Sequence, residues 1–228
     1  EPAVAPLSKI VTDGGAPASA RAAAARALAA TGMTAALPPL QQAASATDPG
    51  VRVAALRGMA QLDEPEATAN LVAGISDANP AVREAALEIL KDWRMDPVQK
   101  LLQGVLTSGD ADARRRAAVA LVFETSSVTN QLLREVSTTA PAGAAQAQAS
   151  LQPVLTEAAL DAKAPVALRR DALTSLGYIS DEKGIESIKA LLQPQEPMAL
   201  PAAKAIAMIG VRKAATLGEG VQERMGQA

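Results

Sequence analysis

The chain repeats itself every 31 residues, and this period limits the folds open to it more than any other feature. Three segments superpose without a gap: Asp48-Pro-Gly-Val-Arg-Val-Ala-Ala-Leu-Arg-Gly-Met59, Asn79-Pro-Ala-Val-Arg-Glu-Ala-Ala-Leu-Glu-Ile-Leu90 and Asp110-Ala-Asp-Ala-Arg-Arg-Arg-Ala-Ala-Val-Ala-Leu121. Arg21, Ala24 and Leu28 fall into the same columns one period earlier. The columns are therefore Arg21, Arg52, Arg83 and Arg114; Ala24, Ala55, Ala86 and Ala117; and Leu28, Met59, Leu90 and Leu121. Self-similarity at this spacing is the mark of stacked supersecondary units.

The residues inside each copy explain how a unit forms. Asp48, Asn79 and Asp110 stand where a side-chain oxygen caps a helix N-terminus. Pro49 and Pro80 follow at the first helical position, where a missing N–H costs nothing. Apolar residues then recur three and four apart, as in Val82, Ala86, Ile89 and Leu90. A preceding helix carries its own seam, with Leu40, Leu71, Leu102 and Leu133 again one period apart. Each unit is thus predicted to be two antiparallel helices of about ten residues each. One such pair cannot bury its apolar face alone, but stacked pairs can.

After residue 125 the pattern weakens. Thr125-Ser-Ser-Val-Thr129 reads as a long turn, and Pro141–Leu151 as a shortened, Ala-rich unit with Ala144 or Ala145 at the arginine position. The motif returns at Val166-Ala-Leu-Arg169-Arg-Asp-Ala172-Leu173, between helices expected over Pro153–Leu160 and Glu182–Leu192. A divergent last copy runs from Pro197 to Gly210. Residues 1–210 are therefore expected to form one domain of about seven helix pairs, and 211–228 a polar, Gly-interrupted tail.

The Asp/Asn-Pro turn, the Val-Arg-x-Ala-Ala starts at Val51-Arg52 and Val82-Arg83, and the Leu spacing after them resemble the HEAT repeat. The similarity is to its short variety, the phycobilisome-lyase HEAT-like repeat. It covers residues 5–210, most closely 17–121 and 160–180. The resemblance implies an all-α, right-handed α-solenoid whose second helices line a concave face. It also implies that the arginine column meets the Asp of a neighbouring turn and fixes stacking. Arg21, Arg52, Arg83, Arg114 and Arg169 would form that structural ladder, with Asp48, Asp77, Asp110 and Asp161 as acceptors. This structural role outweighs the alternative, a basic ladder gripping phosphates, because a partly buried, hydrogen-bonded arginine is not free for DNA.

Composition removes most chemistries. The 228 residues include no Cys and no His, so disulfides, thiolate nucleophiles, zinc and iron–sulfur sites and Ser-His triads are all excluded. No metal or cofactor is expected. A formal net charge of −2 argues against a nucleic-acid protein, and no apolar run reaches the length of a membrane span. With one Trp, one Tyr and one Phe, a thick aromatic core is also out of reach. Alanine, 53 of the 228 residues, must instead bury area by bringing helices close together in thin layers. The start at Glu1-Pro2-Ala3 reads as the product of signal-peptide removal, and a Cys-free chain suits export; a trimmed start is the alternative.

Three groups of residues face a partner in this reading. On the concave face the resemblance implies, the positions one and five after each arginine include Arg26, Arg57, Glu84, Glu88, Arg115 and Arg170, a mixture of signs that suits a protein better than a phosphate backbone. Trp93, Phe123 and Tyr178 are expected along one edge at the ends of second helices, either as binding residues or as plugs for alanine-built layers. The carboxylates at Asp63-Glu64-Glu66 and Asp181-Glu182 fall in turns, which lack the desolvation that acid–base pairs need. The function expected is a non-catalytic scaffold or adaptor binding a partner protein along the concave face or the aromatic edge. The alternatives are a HEAT-like enzyme of the bilin-lyase or DNA-glycosylase type, and a structural subunit of an exported envelope or redox complex.

Overall fold

The computed structural model describes residues 3–93, 97–135, 142–180 and 182–226. Among them are twelve α-helices, three short 3-10 turns and no strand. The chain divides into two compact units, residues 1–120 and 121–228.

The first unit holds helices α1 (Val4–Thr12), α2 (Ala18–Ala30), α3 (Leu37–Ala43), α4 (Pro49–Leu62), α5 (Thr68–Gly74), α6 (Pro80–Asp92) and α7 (Pro97–Ser108), and the start of α8 (Ala111–Glu135). Consecutive helices pair, α1 with α2, α3 with α4 and α5 with α6. The second members stack in turn, α2 on α4 and α4 on α6, while α1 lies against α3 and α5 against α7. This two-layer stack of helix pairs is the HEAT-like solenoid arrangement.

The repeat columns supply both the helix ends and the core. Asp48 accepts a hydrogen bond from the Val51 N–H, Asn79 from Ala81 and Asp110 from Ala113, each at a helix start. α2 is followed by Gly32 and α4 by Asp63, one period apart and both in the left-handed region, φ 63° and 57°; Gly and Asp are among the residues that tolerate it. Leu28, Leu40, Met59, Leu71, Leu90 and Leu102 are fully buried, with Ala24, Ala55 and Ala86 between the layers. Small residues set the spacing. A Cβ on Gly74 would lie 2.8 Å from the Ala86 Cβ and 3.0 Å from Leu56 Cδ1, so α5 sits against α6 at a distance only glycine permits.

The second unit continues α8 and adds α9 (Ala142–Leu160), α10 (Val166–Ile179), α11 (Glu182–Ile188) and α12 (Ala199–Gly226). α10 packs on α9 and α12, and α11 touches α9 and α12. Leu155, Leu173, Leu176, Ile188 and Met198 form its fully buried core.

Three expectations need correction. The turn at 125–129 is helix: α8 runs unbroken to Glu135, since no Gly or Pro interrupts residues 111–135. α9 joins the Ala-rich segment to the helix expected from Pro153, with Pro153 inside it. Among the described residues these fusions bring the number of α-helices to twelve. The segment read as a tail from 211 is helical to Gly226. The side chains of Leu133, Ala144 and Ala145, and residues Pro141 and Asp181, lie outside those described.

Candidate functional site

Arg52 occupies the centre of the first unit's ladder. Its Nε and Nη2 donate to the two Asp77 carboxylate oxygens at 2.8 and 2.7 Å, and Nη1 donates to the Ala46 and Thr47 carbonyls at 2.8 and 2.9 Å. The fork therefore ties the turn before α4 to the turn before α6. Burial pushes the Asp77 carboxyl up, but hydrogen bonds from Arg52 and the Asn79 N–H, with the charges of Arg52 and Arg83, hold it below its ordinary value. The same Asp77 hydrogen bond raises the Arg52 guanidinium.

The other ladder members differ. Arg83 Nη1 donates to the Asp77 and Ala78 carbonyls, but its nearest carboxylate is Asp112, at 3.9 Å. Arg21 Nε reaches back to the Val11 carbonyl at 3.0 Å. Arg169 Nε does the same to Ala159 at 3.1 Å, and its Nη2 pairs with Glu196 at 3.0 Å. Arg114 departs from the column: it is exposed, and Arg116 is the buried arginine, donating to the Asp112 carbonyl and lying 3.2 Å from its carboxylate. Of the four expected acceptors Asp77 receives the arginine fork. Asp48 and Asp110 cap helices, and Asp161 accepts from the Lys163 N–H.

Two features escaped the sequence reading. Glu196 sits beyond a 3-10 turn, Lys189–Leu192, outside the period. The loops before α2 and α10 are also alike: Asp13 and Asp161 each accept from the N–H two residues on, and Pro17 and Pro165 precede each helix. The shared Asp-x-x-Ala-Pro at 13–17 and 161–165 was the available signal.

The aromatics are split. Trp93 is not at an exposed edge; it is 4% exposed, with its indole N–H donating to the Thr68 hydroxyl at 3.0 Å. After α6 ends at Asp92 the chain turns, and the indole fills the end of the α5–α6 layer. Phe123 and Tyr178 are half-buried against each other, edge to face, with centroids 6.4 Å apart.

The solvent-facing residues of the second helices bring one group together. Arg26 of α2 and Arg57 of α4, a period apart, line a shallow groove of about 290 Å³ together with Val53 and Gln61. Between the arginines the lining is made of small residues, Ala29, Ala54 and Gly58. Both arginines are exposed, and among the described residues neither has a hydrogen-bond or ion-pair partner. On α6 the face changes sign: Glu84 and Glu88 are exposed, and Glu88 pairs with Lys91 at 3.0 Å. Arg115 is half-buried, 3.8 Å from Asp112, and Arg170 is exposed, 3.5 Å from Asp171. Among the described residues no three Asp or Glu side chains are grouped to hold a metal ion, and no helix is long and apolar enough to cross a membrane.

Comparison with known proteins bears on the same stretch. A family model described as HEAT repeats matches residues 4–78, which contain the Arg52 fork and both groove arginines. This segment is similar to HEAT repeats. No curated protein sequence matches the chain. Among solved structures, an engineered protein shares 20% identity over 91% of this chain and 96% of its own, with a TM-score of 0.50, a likeness of fold. Human deoxyhypusine hydroxylase in complex with glycerol shares 14% identity over 91% of this chain and 96% of its own, with a TM-score of 0.34. The complex of CpcE and CpcF of phycocyanin lyase from Nostoc shares 22% over 91% of this chain and 81% of its own, with a TM-score of 0.41.

Proposed function

We propose that this chain is a non-catalytic binding module that engages a partner protein through the solvent-facing row of its second helices. The observation that carries this reading is the pair Arg26 and Arg57: two exposed guanidiniums on adjacent repeats, lining one groove and, among the described residues, unused by the protein's own carboxylates. A protein with 22 basic and 24 acidic side chains has acids to spare, so two arginines left over on one face mark a surface open to a partner. The groove's volume, about 290 Å³, lies just below the ~300–1,000 Å³ of small-molecule sites, which favours contact with side chains over enclosure of a substrate. The Arg52–Asp77 fork, between the turns before α4 and α6, would hold α4, one wall of the groove, in register with the next repeat.

The test is affinity capture with mild crosslinking and mass spectrometry, using the intact chain and an Arg26→Glu, Arg57→Glu double variant as paired baits. A protein enriched by the first and lost from the second supports the reading. Equal recovery on both baits, or turnover of a substrate by the purified chain, refutes it.

A further inference from the structure

We infer that the α2–α4 groove takes an extended, acidic peptide segment of the partner, with its carboxylates held between Arg26 and Arg57. The inference rests on the protein-binding reading and gives that surface an occupant. Three observations converge on it. First, the groove runs along α4 from Gly50 to Gln61. At 1.5 Å rise per residue this is about 16 Å, the length of about five residues of extended chain. Second, Ala29, Ala54 and Gly58 are the smallest of its lining residues, so a ligand backbone can come close to the helix surface between the arginines. Third, the walls carry two cations and no anion, and Gln61 adds an amide able to bond a peptide group. A guanidinium offers two parallel N–H groups to one carboxylate, which fixes the ligand's direction as well as its charge.

The neighbouring repeat decides between an acidic peptide and a nucleic-acid strand. α6 packs on α4 and presents Glu88 where α2 and α4 present Arg26 and Arg57, with Glu84 one turn before it where they carry Ala22 and Val53. A phosphate backbone, negative along its whole length, would be attracted over α2–α4 and repelled over α6. A segment of about five residues lying along α4 avoids this, because it does not cross onto α6.

The experiment is a titration followed by amide NMR correlation spectra of the intact chain at low salt. The probe is a capped peptide of alternating Glu and Ala, with its Gln-for-Glu counterpart and oligothymidylate as comparison arms. Saturable shifts of the Gly50, Val53 and Gly58 amides and of the Arg26 and Arg57 Nε–H signals are expected with the Glu peptide alone. Arg57→Glu should weaken binding about tenfold or more, while the dispersed spectrum shows that the fold is intact. The absence of saturable groove shifts up to about 5 mM Glu peptide overturns the inference, as does an equal response to the Gln peptide or a stronger one to oligothymidylate. Shifts confined to another face would overturn the groove assignment and leave the protein-binding reading standing, and that reading is decided separately by the paired capture.

Discussion

Replacing Arg52 by alanine should weaken the first unit by about 2–4 kcal/mol. The figure follows from the four hydrogen bonds the guanidinium makes, two of them to a carboxylate at 2.7 and 2.8 Å. Removing one partner of a fully buried pair costs ~3–5 kcal/mol, because the other charge is left desolvated. Here Arg52 and Asp77 are 15% and 16% exposed, so water relieves part of that penalty. Against this, the Ala46 and Thr47 carbonyls lose their donor and the arginine stem loses its packing. Arg57→Ala is the matched control, one turn along the same helix and without a partner, and should change stability by less than about 0.5 kcal/mol. Urea denaturation followed by circular dichroism would give both values, and amide hydrogen exchange would locate the loss at the α4–α6 joint, since contacts in a stacked array are between neighbours. If Arg52→Ala costs no more than Arg57→Ala, the ladder is not a source of stability and the reasoning fails.

The same pair predicts an acid response. A carboxyl held below its ordinary value adds stability that is complete above the unfolded-state value, near 3.8, and disappears as pH falls through the lower folded-state value; Asp77→Asn should flatten this limb of an acid titration followed by circular dichroism. Gly74→Ala should destabilise by about 1–3 kcal/mol through overpacking. Gly104→Ala, in helix α7 with nothing within 4 Å of the added Cβ, should stabilise by about 0.5–1 kcal/mol, so thermal melts should move in opposite directions. Trp93→Phe should cost about 1–3 kcal/mol by leaving the buried Thr68 hydroxyl without its indole donor. Adding Thr68→Val should recover part of that loss in urea denaturation, because the unmet hydroxyl is then gone.

What the sequence made legible was whatever repeats. Caps at Asp48 and Asn79 and the leucine columns recur with the period, and the structure puts them at helix starts and in the core. Features that depend on a single copy were hidden. Arg114, Arg115 and Arg116 are consecutive, each rotated about 100° around the helix from the last, so only packing decides that Arg116 turns inward. Trp93 follows the last residue of α6, where helical spacing no longer says which way a side chain faces. The Ser-Ser-Val-Thr run resembled a turn by composition, yet without Gly or Pro it does not end α8. Of the groove, Arg26 and Arg57 were visible as a column, but the lining of small residues between them was not.

The reach of each arginine has a further consequence. Arg52 finds a carboxylate 25 residues ahead and Arg169 one 27 residues ahead, whereas the residue 25 ahead of Arg21 is Ala46. Among the described residues, the junction between the first two repeats of the first unit thus contains no ion pair and rests on apolar contact such as Leu28 and Ala29. The next junction is clamped by charge. Chloride would loosen the clamped seam by screening it, while sulfate would tighten the greasy one, so the order in which neighbouring repeats come apart is set by the choice of salt.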